Sequence, residues 1–220
     1  TLAELEQAVG DRSAYVQRAY SAVLVTPSGM QQLPWALNAD LASRLKSETD
    51  GNGHETGWLI GDARAISDIY NMLPRPDETA QTSGSADWYR RLSAWGITGV
   101  LDPGGYNLSP QAYQSTQALW REQALPLRIR FSLSAPRARD ELGDFEQLTA
   151  LMPMGWGDDL LRFNGLGENV TWGMYNNAVP SEQDKLHLER VLIWAAIKRM
   201  TVTFHWNQNE TVHQIGRAHG

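Results

Sequence analysis

His205 is the first residue of this chain to weigh for chemistry. It follows Thr201-Val202-Thr203-Phe204, a run that is β-branched or aromatic at every position. Asn207, Gln208, Asn209 and Glu210 come next and read as a helix start, with Val212, His213 and Ile215 at helical spacing. A strand that ends in histidine and turns at once into a helix puts an imidazole at the carboxyl edge of a sheet, where α/β folds assemble their sites. There the ring can bind a metal, act as a base, or simply hydrogen-bond as a polar strand end. Glu168, after Gly165-Leu166-Gly167, and Asp102, after Gly99-Val100-Leu101, stand at the ends of two other strand-like runs. The chain has no cysteine, so disulfides and thiolate metal sites are excluded, and a metal would need His, Asp, Glu or a modified side chain.

The other candidates each carry a plainer reading beside the chemical one. Glu168 competes as a loop carboxylate, and Asp102, ahead of Pro103, reads as a turn-capping residue or as part of a substrate pocket. His213 does not have the spacing from His205 of a helical zinc pair. His187 beside Glu182 and Arg190 reads as a solvated helix face, His54 as a loop residue after a glycine-rich turn, and His219 lies near the chain end. The Asp158-Asp159 pair suits metal or acid–base chemistry and equally a solvated turn. Trp156, Trp172 and Trp206 flank strand ends, where they line a pocket for an apolar or aromatic substrate or pack into the core. Nine Trp and seven Tyr against four Phe suit surfaces where a ring also needs a polar handle.

The elements that must position these residues alternate. Helical patterns at 85–95, 110–123, 144–151 and 182–199 alternate with strand-like runs at 97–101, 127–133, 160–166 and 201–204. No hairpin turn separates the strands, so parallel strands with crossover helices and an α/β architecture are expected. Neither a G-x-G-x-x-G after a strand nor a G-x-x-x-x-G-K is present, which points away from nucleotide binding. What is left is a partial (β/α)8 TIM-type barrel, about half of one, over 77–220. Residues 1–76 read as a mixed, loop-rich inserted subdomain without a clear sheet of its own. It comprises a helix over 1–9, β-rich runs at 13–17 and 20–25, and a helical pattern over 28–45 interrupted at Pro34. The turn Asp50-Gly51-Asn52-Gly53, an apolar segment over 55–61 and an amphipathic helix over 63–72 follow.

Composition bounds the function classes. The 220 residues are 42% hydrophobic and 20% charged, ordinary for a globular protein. A net charge of −6 and a pI near 5.3 give no sign of a nucleic-acid partner. No apolar run approaches the roughly 18 residues of a membrane helix, and the acidic start Thr1-Leu2-Ala3-Glu4-Leu5-Glu6 is unlike a signal peptide. The expectation is a soluble chain, cytoplasmic if the intact precursor has no signal peptide. The absence of an initial Met and the ending Gly216-Arg217-Ala218-His219-Gly220, just after a helix begins, read as an internal fragment of something longer.

Taken in order, these landmarks resemble the amidohydrolase superfamily, in the branch of large metal-dependent hydrolases that includes N-substituted formamide deformylases. Thr56-Gly57-Trp58-Leu59-Ile60-Gly61, before a helix closed by Leu73-Pro74, is similar to that branch's G-x-x-T-G-x-L-x-G segment. Gly96-Ile97-Thr98-Gly99-Val100-Leu101-Asp102 is similar to its G-I-T-x-V-x-D strand, and Leu127-Arg128-Ile129-Arg130 to its L-x-L-R-V strand. Val202-Thr203-Phe204-His205 is similar to the strand that delivers a metal-binding histidine.

The resemblance implies a (β/α)8 barrel with one or two divalent metals, usually zinc, that hydrolyses an amide-type C–N bond of a small molecule through activated water. His205 would be the fifth-strand ligand and Glu168 the fourth-strand acid, while Trp206, Trp172 and Asp102 would border the substrate. The pattern departs in three places: the first-strand H-x-H is absent, the later His and Asp would lie beyond Gly220, and Trp206-Asn207-Gln208-Asn209 replaces A-x-G-D. A zinc site takes three or four ligands, so these residues by themselves are not expected to hydrolyse anything. The alternative is a non-catalytic, metal-free fragment or binding module that self-associates through its open strand edges.

Overall fold

The computed structural model describes residues 1–33, 39–105, 108, 110–177 and 180–205. The chain divides into two compact units, Thr1–Arg75 and Pro76–Gly220.

The first unit opens with α1 (Leu2–Val9), whose capping box pairs the Thr1 hydroxyl with the Glu4 N–H and the Glu4 carboxylate with the chain start. It continues through β1 (Tyr15–Arg18), β2 (Ala22–Val25), α2 (Pro27–Met30), α3 (Ala39–Ser43), β3 (Leu45–Thr49), β4 (Glu55–Gly61) and α4 (Ala63–Met72). The four strands form one antiparallel sheet in the order β1-β2-β4-β3. This overturns the expectation of a unit without its own sheet and of helix reaching residue 45. The β3–β4 hairpin is made by turn chemistry rather than apolar alternation. Asp50 Oδ1 accepts the N–H groups of Asn52 (2.8 Å) and His54 (2.9 Å), and Gly53 takes a φ of 84°. Val23, Leu41, Ala65, Ile66 and Ile69 make the core beneath the sheet.

The second unit runs α5 (Glu78–Ala94), β5 (Gly99–Asp102), a 3-10 turn (Pro110–Tyr113), α6 (Gln114–Arg121), β6 (Arg128–Leu133), α7 (Glu141–Thr149), β7 (Leu161–Leu166), a second 3-10 turn (Trp172–Asn177) and α8 (Glu182–Ile197). Asp77 caps α5, and a Ser181–Asp184 capping box starts α8. The strands form a parallel sheet in the order β5-β6-β7, with Val100 opposite Ile129 and Phe131 opposite Phe163. Alternate positions Val100, Ile129, Phe131, Leu161 and Phe163 pack with the helices into one core. Tyr113 and Phe131 rings stand 4.9 Å apart, and Phe131 and Phe163 5.7 Å. The next register row, Leu101, Arg130 and Arg162, belongs to the other face, and Leu101 there is 55% exposed.

The strand expected over 201–204 is reduced to a single parallel bridge, Val202 to Leu166. The cause lies at the end of β7, where the backbone bends at Gly165 (φ 128°) and again just past the strand at Gly167 (φ 147°), so that a regular ladder cannot continue beside it. Among the described residues there is no closed barrel, and no helix is long and apolar enough to cross a membrane.

Candidate functional site

The carboxyl edge of the parallel sheet is where the chain gathers its polar groups. Leu166 N–H donates to Thr201 O (2.9 Å), Thr203 N–H to Leu166 O (2.8 Å), and His205 N–H to Glu168 O (2.8 Å). These backbone bonds run the segment carrying His205 alongside the one carrying Glu168. The side chains meet as a result: His205 Nδ1 lies 3.2 Å from Glu168 Oε2, with the imidazole 46% and the carboxylate 30% exposed. Two donors bound to one tetrahedral zinc at about 2.0–2.1 Å stand about 3.3 Å apart. The separation and the donor chemistry, one imidazole nitrogen and one carboxylate oxygen, therefore fit two ligands of one divalent ion, and they fit a hydrogen bond equally. Among the described residues no three of His, Asp and Glu gather as a metal-binding set.

The loops beneath the pair are locked to one another. Ser134, just after β6, donates its hydroxyl to Gly167 O at 2.6 Å. On the same carbonyl presses Gly104, which follows β5 with a φ of 83°; a Cβ there would stand 1.9 Å from Gly167 O. Asp102 shapes that turn, its Oδ1 accepting the Gly104 N–H at 3.0 Å. Its carboxylate also faces Tyr113, whose hydroxyl donates to Ser132 O at 3.1 Å. Burial, reinforced by Asp102, pushes the Tyr113 phenol far up, so it stays protonated as a donor.

Trp172 belongs to a different arrangement. Its indole N–H donates to Ala135 O (3.0 Å) and its backbone N–H to Glu141 Oε1 (2.8 Å). Glu141, 1% exposed at the start of α7, offers its other oxygen to His187 Nε2 at 2.6 Å. His187, 26% exposed, is thus not the freely solvated residue its neighbours Glu182 and Arg190 suggested; its ring is tied to a buried carboxylate. Sequence reasoning passed over Glu141, because an acid at a helix start is ordinary and nothing in Arg139-Asp140-Glu141 marks burial.

The remaining candidates lie elsewhere. Asp158 and Asp159 stand at the amino end of β7, away from His205. Asp158 accepts from the N–H groups of Leu160 (2.8 Å) and Leu161 (3.0 Å) and from the Trp120 indole (2.8 Å), while Asp159 pairs with Arg162. These bonds, led by that from Leu161, hold the Asp158 carboxyl below its usual range. Trp156 packs on Trp120 at the same end, with ring centroids 5.4 Å apart. His54 is an exposed partner of Asp50 at 3.4 Å. Trp206, His213 and His219 lie outside the described residues.

No family model and no curated protein matches this chain. Two solved structures share its fold. One, described as an uncharacterized metal-dependent hydrolase from Pyrococcus horikoshii OT3, aligns with a TM-score of 0.58 at 12% identity, over 99% of this chain and 44% of that one. The other, an uncharacterized metal-dependent hydrolase from Pyrococcus furiosus, aligns with a TM-score of 0.56 at 14% identity, over 97% of this chain and 44% of that one. The chain spans less than half the length of either neighbour. At such identity the likeness is one of fold: this mixed α/β chain is built like a region of metal-dependent hydrolases.

Proposed function

We propose that this chain is a segment of an amidohydrolase-like, metal-dependent hydrolase acting on a C–N bond of amide type, and that His205 and Glu168 are two of its metal ligands. The observation that carries this reading is the 3.2 Å approach of His205 Nδ1 to Glu168 Oε2 at the carboxyl edge of a parallel sheet. The fold shared with two metal-dependent hydrolases supports it. The strands β5, β6, β7 and the bridge at Val202 neighbour one another in chain order, as consecutive strands of a (β/α)8 barrel do, which supports reading the second unit as part of such a barrel. The amide-type substrate rests on the ordered landmarks at residues 56–61, 96–102, 127–130 and 202–205.

His205 and Glu168 would hold a divalent ion, zinc by preference, and it would supply Lewis acidity toward a water and a carbonyl. The chain's own residues do the rest. Glu168 O fixes the backbone of His205 and so the reach of its ring, and Ser134 and Gly104 hold the Gly167 carbonyl so that the Glu168 carboxylate keeps its place. Trp172, Asp102 and Trp206 are proposed to border the substrate. The second reading is a metal-free, self-associating module in which His205 and Glu168 form an exposed hydrogen-bonded pair, favoured by their direct contact. Amine release from N-formyl and N-acyl amines separates the two. In the intact enzyme, His205→Ala and Glu168→Gln each lower kcat/KM by about a hundred-fold or more; unchanged turnover in both variants removes the pair from the chemistry.

A further inference from the structure

At the opposite end of the parallel strands from His205, a cavity of about 440 Å³ opens between α7 and α8. Met154 precedes β7 and Met200 precedes the segment at Val202, which sets the cavity at the amino ends of these strands. Its size suits a small-molecule ligand. One side of the lining is apolar and adaptable, made by the thioethers of Met154 and Met200 and the indole of Trp194, and the rest is polar. Trp194 lies nearly parallel to the buried Phe145 ring, at 17° and 6.4 Å between centroids, which fixes the plane of that wall. The Trp194 indole N–H has no acceptor among the described residues.

Two opposite charges complete the lining, Glu146 from α7 and Lys198 just after α8. Neither makes an ion pair among the described residues, with each other or with anything else. We propose that this cavity binds a free α-amino acid with an apolar side chain. Its ammonium pairs with Glu146, its carboxylate with Lys198 and the Trp194 N–H, and its side chain lies against the thioethers and the indole. The same arrangement disfavours a dianion, which Glu146 repels, and a polyamine, which Lys198 repels. The site is independent of the proposed metal pair and stands or falls without it.

Isothermal titration of the purified chain with L-leucine, N-acetyl-L-leucine and L-leucinamide tests the assignment. L-leucine gives saturable heat, and each derivative, having lost one charge, binds about five-fold more weakly, the scale of one partly exposed ion pair. Lys198→Met removes the discrimination against the amide while keeping that against the acetyl compound, and Glu146→Gln does the reverse. Both residues are exposed, so neither change unsettles the core. No saturable heat, equal binding of all three compounds, or discrimination that survives both substitutions overturns the proposal.

Discussion

Glu141 Oε2 and His187 Nε2 lie 2.6 Å apart and join the first turn of α7 to the second turn of α8. The other Glu141 oxygen holds the Trp172 N–H, so one buried carboxylate ties two helices to the loop that follows β7. Removing it takes the acceptor from the half-buried Trp172 N–H and from the imidazole, which is 26% exposed, and empties the buried space the carboxylate fills. Glu141→Ala is therefore expected to cost about 2–4 kcal/mol. Glu141→Gln costs less, because an amide oxygen still accepts from Trp172. Urea midpoints measure both; a Glu141→Ala loss no larger than that of the exposed Glu146→Ala would contradict the buried-strap account.

Gly104 and Gly84 give opposite expectations for the same substitution. At Gly104 the φ of 83° and the Gly167 carbonyl leave no room for a methyl group, so Gly104→Ala is expected to destabilise by about 3 kcal/mol. It should also displace the backbone that carries Glu168. At Gly84, inside α5 and exposed, an added Cβ meets nothing within 4 Å, and Gly84→Ala is expected to stabilise by about 0.5–1 kcal/mol. Thermal unfolding of the two variants checks the pair of signs.

Asp158 sets part of the acid limb. Its folded-state pKa is depressed, so its contribution is present above the unfolded value, about 3.9, and is lost as pH falls through the folded value. Asp158→Asn is expected to flatten the fall of stability with pH below about 4 and to leave the slope above about 6 unchanged. Urea unfolding at stepped pH reads this, and an unchanged acid limb in the variant would refute the assignment.

Much of this architecture is legible in the chain because its signals are local. The helix Ala63–Met72 begins at an Asp62 cap and keeps one apolar face, and β6 and β7 are short runs dense in Leu, Ile and Phe. What was not legible depended on distant partners. The first turns of α5, Glu78 to Gly84, are polar and show no apolar stripe, so only the Asp77 cap marks them. In β3 the single apolar residue is Leu45, and the strand exists because β4 and the Asp50 turn offer it a ladder. The burial of Glu141 is created by α8 and Trp172, far along the chain. His205 and Glu168 were readable as ends of consecutive strand-like runs, whereas the bend at Gly165 and Gly167 that leaves only one bridge beside them was not.

The central claim is that His205 and Glu168 hold one divalent ion. Equilibrium dialysis of the intact enzyme, which supplies the remaining ligands, against zinc tests it most directly, with His205→Ala and Glu168→Gln as paired variants. The account predicts one zinc per chain, with either substitution weakening uptake by at least ten-fold, since losing a ligand costs no less than losing its supporting contacts. No zinc uptake, or uptake that both variants leave unchanged, would contradict it.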